Sequence, residues 1–188
     1  MIKDLVLKHR SCRRFYQEVP VEEETLRELV DLARCSASSS NRQPLKYILS
    51  CDPEKNALVF KTLGWARDLK DWPGPSEGER PSAHIVILLD KEISESVDCD
   101  HGIAAQTILL GAREKGLGGL MHGSVKKEEL SQALGIPPRY EIRLVLSLGK
   151  PKEKAVLDSV GPDGKTTYWR DSESVHHVPK RRLDDIIV

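Results

Sequence analysis

The sequence predicts an α+β fold, and three observations carry that expectation. The run His84 to Leu89, HIVILL, is apolar throughout and suits a central strand covered on both faces. Ile142, Leu144, Leu146 and Leu148 alternate with Arg143, Val145 and Ser147, which gives another clear strand with one strongly apolar face. Helical patterns lie around these runs without the strict alternation of a doubly wound sheet.

In chain order, Ile2, Leu5, Val6 and His9 fall at helical spacing, a short first helix that ends in the basic stretch HRSCRRF, His9 to Phe15. Pro20 and three glutamates, Glu22 to Glu24, suit the start of a second helix with Leu26, Leu29, Val30 and Ala33 as its buried stripe. CSASSSNRQP follows as a loop, and Lys46 to Cys51 reads as a short strand. Asp52 and Pro53 look like an N-cap and first helical position, opening a helix towards Trp65. Between Leu69 and Pro81 the chain holds too much Pro and Gly for regular structure, so residues 64–81 are expected to be a mobile loop or lid.

Cys99 to Lys115 is apolar on most sides and ends at Gly116, as a helix threaded through a core would be. GLGGLMHGS then reads as a flexible segment, with Ser124 as the cap of a helix that Gly135 terminates. Residues 150–188 form a C-terminal extension without a long apolar run. Tyr168, Trp169, Val175, Val178 and the final Ile186, Ile187 and Val188 nevertheless need a surface to pack on, and a second copy of the chain is the candidate.

At 188 residues one domain is expected. Lys and Arg number 29 and so do Asp and Glu, so no broad field exists to grip nucleic acid or an anionic membrane, and a basic cluster should serve a compact ligand. No apolar run reaches the roughly 20 residues of a membrane span. The four cysteines lack metal-ligand or CxxC spacing and read as free buried thiols in a reducing, cytoplasmic setting.

HRSCRRF taken alone reads as a solvated charge run, a common feature after a helix. Three other segments change its meaning: the donor-rich loop Ser38-Ser39-Ser40-Asn41-Arg42-Gln43-Pro44, the glycines between Gly116 and Ser124, and the second basic cluster Lys180-Arg181-Arg182. Together they resemble the nitroreductase family of FMN-dependent oxidoreductases. Arg10-Ser11-Cys12-Arg13-Arg14-Phe15 matches its R-S-x-R-x-[FY] opening. Ser38 to Pro44 matches P-S-S-x-N-x-Q-P, with Ala37 where the family has a leading proline. Gly116-Leu117-Gly118 matches G-L-G, Gly149-Lys150-Pro151 matches the closing G-x-P, and Pro179 to Leu183 matches the basic tail.

The resemblance implies a nitroreductase-like fold, a central mixed sheet flanked by helices, with FMN at the interface of a homodimer and the extension packed on the partner subunit. It implies that Arg10 and Ser11 reach the phosphate and ribityl chain, with His9 beside them and Lys180 and Arg182 completing the phosphate site. Arg13 would lie by the pyrimidine edge, where a cation stabilises the negative charge of reduced flavin. Ser38, Ser39 and Asn41 would come from the second subunit, and the N–H of Gly123, with Ser124 close by, would face flavin N5. His122 is a candidate proton donor to substrate, against the alternative of a solvated loop histidine. Trp65, Arg67, Trp72 and Arg80 would set substrate choice.

The implied activity passes hydride from NADH or NADPH through flavin N5 to a small oxidised acceptor such as a nitroaromatic, quinone or enone. No GxGxxG is present, so the nicotinamide would stack on the flavin. A flavin-consuming or dehalogenating enzyme on the same fold, and a flavin-binding protein without catalysis, are the alternatives.

Overall fold

The computed structural model describes residues 1–188. Helix α1 spans Ile2–Lys8 and buries none of its residues against the rest of the chain. Strand β1 is Phe15–Tyr16, and α2, Glu23–Arg34, buries Leu26, Leu29 and Ala33 as its stripe requires. A single 3-10 turn at Ser39–Asn41 precedes β2, Leu45–Ser50. Helix α3, Pro53–Phe60, starts as its sequence dictates: the Asp52 carboxylate accepts from the Lys55 N–H at 2.9 Å and Pro53 opens the first turn. It stops at Phe60, short of Trp65. Strand β3 is Ala83–Asp90, α4 is Asp100–Glu114, β4 is Gly118–His122 and α5 is Lys127–Leu134, closed by Gly135 at φ 62°. The long strand β5, Tyr140–Pro151, leads into β6, Ala155–Ser159, β7, Trp169–Arg170, and β8, His176–Lys180.

The fold is α+β. The central sheet runs β1-β5-β3-β2, with β4 also paired to β5, and each of these ladders is antiparallel. The parallel contacts are a bridge between Ser11 and Gly119 and the pairing of β6 with β8 in a separate three-stranded sheet. Helices cover both faces of the central sheet. On one side Leu26, Leu29, Ile108 and Leu109 from α2 and α4 pack with Ile85, Ile87, Leu146 and Leu148. On the other, Val59 and Leu130 from α3 and α5 pack with Val86, Leu88, Ile142 and Val145. This sandwiching is why β3 is buried at every position and reads as an unbroken apolar run. It also corrects the expected one-faced β5: Ser147, on the less apolar side, is fully buried.

Other expectations change. GLGGLMHGS contains a strand rather than a flexible segment, because Gly118 and Gly119 allow backbones to meet where side chains would collide. A Cβ on Gly119 would stand 2.6 Å from the Ser147 carbonyl oxygen. Ser124 does not cap α5, whose N-cap position is Lys126. Instead the Ser124 carbonyl accepts from the Gly64 N–H at 2.8 Å, which ties the end of β4 to the start of the 64–81 loop.

That loop has no helix or strand, as expected, but it is held at several points. Gly74 packs against Trp65, Gln17 accepts from the N–H groups of Gly78 and Arg80, and Glu79 pairs with Arg14. The extension folds on its own chain through Tyr168, Arg170 and His176, while Ile186, Ile187 and Val188 stay exposed. Cys12 is buried, Cys51 half-buried, and Cys35 and Cys99 are exposed, all as free thiols. No helix is long and apolar enough to cross a membrane.

Candidate functional site

The basic stretch leaves α1 in extended conformation: His9 closes the helix at φ −77°, ψ 116°. Cys12 N–H then donates to the Gly119 carbonyl at 3.0 Å, so residues 10–13 run beside the glycine strand β4. Extended backbone alternates its side chains. Cys12 turns inward, its Sγ donating to the Arg14 carbonyl, and burial pushes its thiol up to about 12. Such a thiol is inert rather than nucleophilic. Ser11 and Arg13 turn the other way, into a cavity of about 470 Å³ that His9, Arg10, Met121, Tyr168, His176 and Lys180 also line.

No carboxylate lines that cavity, and neither Arg10 nor Lys180 has an acidic partner elsewhere. Arg10 donates one Nη to the Val6 carbonyl, and its buried Nε has no partner. Burial, then the cations Arg10 and Arg113, hold the His9 imidazole below its ordinary pKa. Arg10, Arg13 and Lys180 thus face the cavity with no carboxylate among its lining residues, an electrostatic setting that favours an anion.

Arg13 is 9% exposed, and its guanidinium is clasped by the extension. The Tyr168 ring lies beneath it at 4.8 Å, and Nη1 approaches His176 Nε2 at 3.1 Å. Behind it, the Arg13 N–H donates to Glu153, whose other oxygen pairs with Arg170 at 2.9 Å. Arg170 in turn stacks on Trp72 at 4.4 Å, which links Arg13 to the 64–81 loop through two residues. Tyr168 was legible as a residue seeking a surface. Glu153 and His176 carried no signal of a site in the sequence, since a glutamate between two lysines after a strand and a histidine pair in a tail are ordinary features.

The other candidates separate. Gly123 is exposed, its N–H has no partner, and no atom lies within 4 Å of where a Cβ would stand. Arg182 does not line the cavity; it precedes the turn Leu183–Asp185, and its N–H donates to Asp185. Ser38 and Ser39 hold the first residue of α4, with the Ser38 hydroxyl donating to Asp100 at 2.6 Å and the Ser39 N–H at 3.0 Å. Ser40, Asn41 and Gln43 adopt positive φ in this turn. These residues share no cavity with Arg10 within the chain.

His122, the candidate proton donor, is not a solvated loop histidine, and it does not line the cavity. It ends β4, is 3% exposed, and both ring nitrogens are engaged. Nδ1 faces the Gly64 carbonyl at 3.2 Å, so it carries the proton. Nε2 then accepts from the Ser147 hydroxyl at 2.9 Å, and Ser147 accepts from His84 Nδ1 at 3.1 Å. Burial drives His122 to about 4 and His84 to about 3, so both rings are neutral.

The fold is that of the nitroreductase family of oxidoreductases. The family's model matches residues 6–150, and the chain belongs to it. The chain is 28% identical over 197 residues to an NADH dehydrogenase of Thermus thermophilus, covering 89% of this chain and 95% of that one. An FMN-dependent nitroreductase from Clostridium difficile R20291 superposes with a TM-score of 0.66 at 26% identity, over 82% of this chain and 89% of that one. A nitroreductase family protein from Clostridium novyi NT shares the fold over 100% of this chain and 99% of its own, with a TM-score of 0.69 at 20% identity.

Proposed function

We propose that the chain is an FMN-dependent oxidoreductase that takes hydride from NADH or NADPH and delivers it to a small oxidised acceptor, such as a nitroaromatic, quinone or enone. The observation that carries this reading is the cavity in which Arg10, Arg13 and Lys180 converge with no carboxylate among the lining residues. Arg10 and Arg13, which both line the cavity, each also carry a buried Nε without a partner, so the residues present fit a phosphorylated, electron-accepting ring. Bound FMN would supply the hydride-accepting and hydride-donating chemistry.

The chain's own residues divide the remaining work. Arg10, with His9 and Lys180, would hold the phosphate, and Ser11 the ribityl chain. Arg182 belongs to the same basic tail and would join them only by a shift of the turn it precedes. Arg13 would stand against the pyrimidine edge and favour the reduced, anionic form. The free N–H of Gly123, beside Ser124, would donate to the redox-active edge of the ring. Ser38, Ser39 and Asn41, remote from the cavity in one chain, would serve it from a second copy. Exposed Ile2, Val6, Leu7 and Ile103 on α1 and α4 support such a homodimer.

The test is the visible spectrum of the purified protein, followed through anaerobic addition of NADH and then NADPH. Flavin absorbance that bleaches with either donor is the expected result. A protein that stays colourless after incubation with FMN overturns the reading, and a flavin that neither nucleotide reduces leaves a flavin-binding or oxygen-driven role in its place. Sedimentation should give a dimer, and a monomer that retains FMN would contradict the shared site.

A further inference from the structure

His176 enters the cavity from β8, in a segment beyond the residues that match the family model. Neighbours in a strand face opposite sides, and the pair His176-His177 is sorted accordingly. His177 faces out, its ring nitrogens 2.7 Å from Asp158 and 3.1 Å from Asp171, with Trp169 stacked on it at 4.1 Å. His176 faces in, 1% exposed, against Arg13.

That contact assigns the tautomer. A guanidinium only donates, so His176 Nε2 accepts from Arg13 Nη1 and the ring proton sits on Nδ1, which is buried without a partner. A protonated ring would instead set two cations 3.1 Å apart in an enclosed site. The groups around it are Arg13, Arg170, His177 and the Tyr168 ring, with Glu153 beyond them. Burial first, then the two arginines, hold the ring neutral down to about 4.

We propose that His176 is a positioning residue for the cofactor site: its Nε2 and the Tyr168 ring together fix the plane of the Arg13 guanidinium. The inference rests on the flavin reading given above. A free arginine side chain loses rotamer entropy each time it meets developing charge, whereas a clasped one is already oriented. Tyr168 covers one face of the guanidinium and His176 takes an N–H group of Nη1, which leaves Nη2, unbonded within the chain, for a ligand. The extension thus sets how strongly the site prefers reduced over oxidised flavin, without touching the reacting atoms.

The experiment compares the midpoint potential of bound FMN in the wild-type holoprotein, in His176→Leu, which lacks the acceptor, and in His176→Gln, whose amide oxygen replaces it. The His176→Leu variant should lose about tenfold in its preference for reduced over oxidised FMN, which is about 30 mV towards the negative for a two-electron couple. His176→Gln should recover the wild-type preference to within about twofold. An unchanged potential in His176→Leu, or a loss in His176→Gln as large as in His176→Leu, overturns the proposal. Should neither variant fold, ring 15N shifts of wild-type His176 decide it: a proton on Nδ1 supports the clasp, and a proton on Nε2 refutes it. A wild-type chain that retains no FMN removes the flavin reading and this proposal with it, whereas retained FMN with an unmoved potential removes this proposal alone.

Discussion

The Arg14 guanidinium and the Glu79 carboxylate meet in a two-point pair, Nε to one oxygen and Nη2 to the other, each at 2.6 Å. Lys152 reaches the same carboxylate at 3.0 Å. One acidic side chain therefore joins the residue after Arg13, the base of the 64–81 loop and the start of the extension. The hydrogen bonds from Arg14 and then Lys152 hold Glu79 down to about 2. Glu79→Gln should lower stability by about 2 kcal/mol, read as a reduced urea midpoint. The lowered pKa fixes the sign of the pH effect: the contribution is complete above the unfolded carboxylate value and disappears as pH falls towards about 2. The variant should therefore narrow its deficit in acid, and a deficit constant with pH would contradict this account.

Arg10→Ala should weaken FMN binding by roughly ten- to a hundredfold, the loss expected for one hydrogen bond to a charged group. Its unfolding midpoint should stay near that of the wild type, since the guanidinium makes one hydrogen bond, to the Val6 carbonyl, and no ion pair. Fluorescence titration with FMN measures this, and wild-type affinity in the variant would move the phosphate away from Arg10.

Gly119→Ala should be among the most damaging single-methyl additions in the chain. The new Cβ would fall 2.6 Å from the Ser147 carbonyl oxygen and 2.7 Å from both Leu109 and Leu148, with backbone on one side and two fully packed leucines on the other. Overpacking of this kind destabilises by about 3 kcal/mol. Gly123→Ala meets no atom within 4 Å and should leave the urea midpoint unchanged.

The buried relay His84, Ser147 and His122 predicts a steep acid limb. Both rings are neutral when folded, with burial the leading cause, and both take up protons on unfolding near the ordinary value of 6.5. Their contribution is intact above that value and declines as pH drops towards about 4 for His122 and about 3 for His84. Each should add about 1.4 kcal/mol per pH unit to the slope of stability between those limits. Denaturant melts at several pH values from 7 to 5 check it, and a flat profile would mean that these rings are already charged in the fold.

The core was legible because it repeats one physical demand over several residues. Leu26, Leu29 and Ala33 had to share a helical face, and the run through β3 had to be covered on both sides, so their burial follows from spacing. The relay was not legible, because His122 and Ser147 lie 25 residues apart and meet only once β4 pairs with β5. The strand nature of β4 was hidden by its glycines, which signal flexibility when close backbone approach cannot be seen. The turn from Ser38 to Gln43 was legible as polar loop, yet its hold on Asp100 depends on where α4 begins.

The cavity draws its walls from both ends of the chain: Arg13 and His176, which touch, are 163 residues apart. On the ribosome, the sheet can close as soon as β5 emerges, while Tyr168, His176 and Lys180 are still to be made. The central sheet therefore completes its pairing without the strands that bring His176 and Lys180 to the cavity, and whatever occupies that cavity meets a wall added to a sheet already paired.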